Sequence, residues 1–99
     1  MPKLFEYQLT DKEVIENIFD NESYLMNHVV MPIGKTFPKH PTDAEVTIVV
    51  LRGTLSAQAD NNQPVLVKRG QVMQVKKGTE SLLFNAGEDV VELLVLKVR

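Results

Sequence analysis

The sequence contains no cysteine. Disulfide staples and thiolate metal sites are therefore excluded. It has two histidines, His28 and His40, so any imidazole chemistry rests on that pair. Neither sign of charge dominates: the formal net charge is -2. Nucleic acid, whose binding calls for a basic face, is not an expected partner. No apolar run approaches the length of a membrane-crossing helix. The opening residues, MPKLFEYQLTDKE, are too polar for a signal peptide. The expectation is a cytoplasmic protein with no membrane role. Also missing are a Ser-His-Asp order, a phosphate loop and a paired-carboxylate arrangement, which leaves little material for nucleophilic catalysis. No repeat, low-complexity tract or linker divides the chain.

What remains is ordinary globular material. With 99 residues, 43% hydrophobic and 24% charged, the chain supports one hydrophobic core. The expected organisation is a single domain over 1–99. Residues 1–22 form a strand and a short helix, and 23–99 form a β-barrel.

Leu4 to Leu9 alternates as a strand does. Thr10-Asp11-Lys12-Glu13 has the form of a capping box, with Thr10 at the helix start and Glu13 reaching back. Val14, Ile15, Ile18 and Phe19 then make one apolar stripe, which predicts a short helix ending at Asp20-Asn21. From Tyr24 the period becomes two. Tyr24–Met31, Val46–Leu51, Thr54–Ala59, Val65–Lys68, Val72–Val75, Ser81–Asn85 and Val90–Val98 read as strands. Gly53, Asp60-Asn61-Asn62, Arg69-Gly70, Lys76-Lys77-Gly78 and Ala86–Asp89 supply the turns. Short strands at this spacing argue for a β-sandwich or barrel. TIVVL and VVELLVL are apolar on both faces, so part of an outer face should be covered by the N-terminal helix, a second subunit, or both. The long apolar final strand should be interior or paired across a two-fold axis, because a free edge of that kind invites aggregation.

The turn residues carry a further pattern. Gly34-x5-His40 is followed by Gly53, and then by Gly70-x5-Lys76-x-Gly78-x2-Ser81-x3-Asn85. This resembles the two motifs of the cupin superfamily, G-x5-H-x-H-x3,4-E-x6-G and G-x5-P-x-G-x2-H-x3-N. Gly34, His40, Gly53, Gly70, Gly78 and Asn85 match at the family spacing. The match covers Gly34 to Asn85, about half the chain. The resemblance implies an all-β jelly-roll barrel, typically a small homodimer. It also implies four metal-ligand positions, three from the first motif and one from the second. In this sequence those positions are His40, Thr42, Val46 and Ser81, so one ligand of four is kept, and the second-motif proline is Lys76.

Two residues are candidates for rebuilding such a site. Glu45 lies one residue before the ligand position now held by Val46, so strand parity turns it away from the barrel unless a bulge re-aims it. His28 shares a face with Tyr24, Met26 and Val30. If that face looks inward, His28, His40 and Glu45 could hold a divalent Zn, Ni, Mn or Fe ion, as an isomerase or dioxygenase of this family would need. The simpler expectation is a barrel without resident cofactor that binds a small organic molecule. Its pocket would be lined by His28, His40, Thr42, Ser81 and Asn85.

Overall fold

The computed structural model describes residues 2–99 and is all-β. Nine strands run in chain order: β1 Val14–Asp20, β2 Tyr24–Met31, β3 Thr36–Pro41, β4 Glu45–Arg52, β5 Thr54–Ala59, β6 Val65–Lys68, β7 Val72–Val75, β8 Glu80–Asn85 and β9 Val91–Val98. They form two sheets, one of five strands in the order β1-β2-β9-β4-β7 and one of four in the order β3-β8-β5-β6. The jelly-roll expectation is met, but the N-terminal helix is not. Among the described residues no helix is long and apolar enough to cross a membrane.

The stretch expected to be helical is β1, which pairs antiparallel with β2. A register shift between Asn17 and Phe19 explains the misreading. The bulge slips the two-residue period by one, so Val14 and Phe19 fall on the same face. That broken alternation imitates a helical stripe. Three of the apolar residues, Val14, Ile15 and Ile18, are β-branched and suit a pleated strand. The capping-box residues serve elsewhere. Thr10 Oγ1 accepts from the Lys12 amide at 3.1 Å, and Glu13 pairs with Lys35 at 3.4 Å. Leu4 to Leu9 is not a strand either. This segment lies along the outer face of the five-stranded sheet, with Phe5 against Phe19 (ring centroids 5.3 Å apart) and Tyr7 over His28 (4.2 Å).

The sequence reading gave no strand at Thr36–Pro41. Pro38 and Pro41 cannot donate to a ladder, yet β3 is an edge strand bonded only to β8, where a missing donor is tolerated. Its register shifts between Phe37 and His40, the interval that holds Pro38.

The core lies between the sheets. Val29 and Met31 of β2, Val46, Ile48 and Val50 of β4, Leu55 and Ala57 of β5, and Val91 and Leu93 of β9 are its buried side chains. The final strand is interior, between β2 and β4, so its carbonyls and amides are bonded on both sides. Gly53 joins β4 to β5 at φ +82, a conformation that side chains resist, and a Cβ there would run into the Val90 carbonyl. In the loop after β5, Asp60 takes a positive φ of 52, and its carboxylate accepts from the Glu80 amide at 3.0 Å.

Candidate functional site

Residues of both sheets line a half-open cavity of about 540 Å³. Its walls are apolar: Val29, Ile48, Leu93 and Val95 from one sheet and Phe37 and Leu83 from the other. His40, Thr42 and Ser81 also line it. The pairing of β3 with β8 brings two of them together, since His40 and Ser81 are direct cross-strand partners. His40 Nδ1 donates to the Pro38 carbonyl at 3.0 Å, which leaves Nε2 free to accept. The Thr42 hydroxyl is already committed, donating to the Lys76 carbonyl at 3.0 Å.

Asn85 is not part of this lining. It is buried and fully engaged: Nδ2 donates to the Met31 and Asp89 carbonyls, both at 2.9 Å, and Oδ1 accepts from the Gly87 amide at 3.0 Å. Its place is structural, tying β8 to the end of β2 and closing the turn before β9.

His28 is also elsewhere. The face it shares with Met26 and Val30 is the outer one. It sits directly opposite Glu16 of β1 and diagonal to Glu92 of β9. Its Nδ1 meets Glu16 Oε2 at 2.8 Å and its Nε2 meets Glu92 Oε2 at 2.7 Å, with no solvent access to the ring. Each ring nitrogen thus lies within hydrogen-bond distance of a carboxylate oxygen. The Gln8 amide adds a third contact, to Glu16 Oε2 at 3.0 Å. Glu16 is consequently held below its ordinary value of 4.5, first by the His28 hydrogen bond and then by the Gln8 amide. Beyond Glu92 stands Arg52, which reaches Asp11 at 2.7 Å, and that contact raises the Arg52 pKa further.

These positions bear on a metal centre built from the residues named above. His28 and His40 do not converge, because one is outside the five-stranded sheet and the other lines the cavity. Glu45 is exposed and, as parity required, alternates with inward-facing Val46. At the four family ligand positions the cavity offers one imidazole, two hydroxyls and an isopropyl group. That donor set does not fit a divalent ion, which takes three or more strong ligands. Among the described residues no three His, Asp or Glu side chains form a metal-holding group.

Three polar cavity residues escaped the sequence reading: Asn27, Asp43 and Lys97. For Asn27 and Lys97 the signal was strand parity. Asn27 is two residues from Val29, and Lys97 is two from Val95.

The sequence pattern of the family described as "Cupin domain" matches residues 27–97, well over half of the chain. An uncharacterised protein of Methanocaldococcus jannaschii is 27% identical over 96 residues, covering 96% of this chain and 83% of that protein. The crystal structure of an RmlC-like cupin family protein with a double-stranded β-helix fold, from the same organism, superposes with a TM-score of 0.93 at 25% identity, over 99% of this chain and 91% of that one. A cupin superfamily protein of Desulfitobacterium hafniense superposes with a TM-score of 0.80 at 10% identity, over 94% and 83%, and shows the fold alone.

Proposed function

This chain belongs to the cupin family, and on that premise we propose that it binds a small organic molecule inside its barrel without the family's full metal site. One observation carries the reading. The barrel keeps a cavity of about 540 Å³ with apolar walls, while the ligand positions hold His40, Thr42, Val46 and Ser81. A space of this size lies within the range of small-molecule pockets, roughly 300–1,000 Å³. Apolar walls supply affinity by excluding water, and the few polar groups set orientation.

The test is a thermal-shift screen of small organic compounds, since anything that binds the native state raises its apparent stability. The expected result is a concentration-dependent rise with a subset of amphipathic compounds. No stabilising compound in a broad screen would count against the proposal. Elemental analysis of protein purified without chelator should find far less than one equivalent of Zn, Ni, Mn or Fe per chain. A full equivalent would overturn the metal-free half of the reading.

The proposal includes a second copy of the chain as partner. Leu66 and Phe84 flank Ser56 in one row across the outer face of the four-stranded sheet, and both are exposed. Such a face suits a self-complementary contact. Sedimentation equilibrium should show a dimer, and a monomer at high micromolar concentration would refute it.

A further inference from the structure

The reading above leaves open which small molecules the barrel takes. We infer that the cavity selects an amphipathic carboxylate, with its apolar chain against Val29, Ile48 and Leu93 and its carboxylate at Lys97 and Asn27. This rests on the cavity being a binding site at all.

Lys97 on β9 lies directly opposite Val46 of β4, and Asn27 of β2 lies opposite Val95. Lys97 and Asn27 are therefore diagonal neighbours on the inner face, within reach of one another's side chains. Both line the cavity. The Lys97 side chain is about two-thirds shielded, and its one ionic partner among the described residues, Asp43 Oδ1, stands at 3.8 Å, beyond hydrogen-bond distance. Its three N–H donors remain available to a better acceptor.

The Asn27 amide is oriented by its neighbour. Asn17 Nδ2 donates to the Phe19 and Met26 carbonyls at 3.1 and 3.2 Å, which fixes that group as the donor end. It also contacts Asn27 Oδ1 at 3.1 Å, so the oxygen of Asn27 is the end that accepts. Asn27 Nδ2 is left as a donor on the cavity side of the sheet. An ammonium and an amide N–H on diagonally neighbouring residues of an apolar cavity's lining make a recognition element for a carboxylate, through charge-assisted hydrogen bonds. The opposing feature is Asp43, but it is 87% exposed, so its repulsion is screened by water. The competing account is that Lys97 merely snorkels its head to solvent at a strand end. That account predicts no preference for charge.

Octanoate and 1-octanol share a chain and differ in the head, and calorimetric titration of the intact protein with each separates the two accounts. Octanoate should bind about tenfold more tightly than octanol, the scale of a charge-assisted hydrogen bond at a partly exposed site. Lys97→Met should remove that preference while leaving octanol affinity within about twofold. Asp43→Asn should strengthen octanoate binding by roughly twofold, because a screened repulsion is lost. Equal binding of both probes to the wild-type chain, or unchanged octanoate binding in Lys97→Met, overturns the inference and leaves the cavity reading standing. Binding of neither probe overturns both. Melting curves of each variant confirm that it is folded.

Discussion

His28 Nε2 and Glu92 Oε2 meet at 2.7 Å on the outer face of the five-stranded sheet, on the far side from the cavity. Glu16 closes the other ring nitrogen, and Tyr7 lies over the ring. The cluster gives each nitrogen of the buried His28 ring a carboxylate partner, and Tyr7 and Gln8 of the N-terminal segment pack against it. It also makes His28 a clamp between β1, β2 and β9 rather than a ligand.

Replacing His28 should therefore cost stability and spare the cavity. In His28→Ala the Glu16 and Glu92 carboxylates lose the ring that joins them, and a fully buried side chain is removed. The expected result is a lower unfolding midpoint. Urea unfolding measures it. Ligand binding in the barrel should be unchanged, because the ring is outside it.

Acid should weaken the same clamp. The Glu16 pKa is lower in the folded chain than its ordinary value of 4.5. The stability it contributes is fully present above about 4.5 and is lost as pH falls through the folded value. Glu16→Gln should flatten this part of the stability profile. Denaturant titrations at a series of pH values from about 5 to 3 check it, and identical slopes in both proteins would refute the assignment.

Gly53 and Gly34 should respond differently to alanine. Both have positive φ, but a Cβ on Gly53 meets the Val90 carbonyl, whereas one on Gly34 meets nothing within 4 Å. Gly34→Ala should cost about 1 kcal/mol from backbone conformation alone. Gly53→Ala should cost about 2–4 kcal/mol, since β9 must shift as well. Chemical denaturation of the two variants side by side decides it.

Asn85 should behave as a structural residue. Asn85→Ala strands the buried Met31 carbonyl and, less buried, the Asp89 carbonyl and Gly87 amide, for an expected loss of about 1–3 kcal/mol. Asn85→Asp should fare no better, because an ionised carboxylate cannot donate to the Met31 and Asp89 carbonyls. A variant that keeps its stability but loses ligand binding would return Asn85 to the pocket.

Much of the barrel was readable before folding was considered. Glycines at Gly34, Gly53, Gly70 and Gly78 all take positive φ. Their places in the chain needed only local sterics to interpret. The same holds for the strands from Tyr24 onward, whose two-residue period is a local property. Two elements were misread for local reasons too: a bulge disguised β1 as a helix, and prolines hid β3, whose edge position makes them harmless.

Which side of each strand faces inward was a different kind of question. Period two correctly grouped His28 with Tyr24, Met26 and Val30, yet nothing within β2 says whether that group meets the core or the outside. The answer came from residues far away in the chain: the pairing of β2 with β9, and the N-terminal segment laid across their outer face. The same long-range pairing set Lys97 beside Asn27 and separated His28 from His40. Alternation records that side chains share a face, and only assembly of the sheets gives that face a direction.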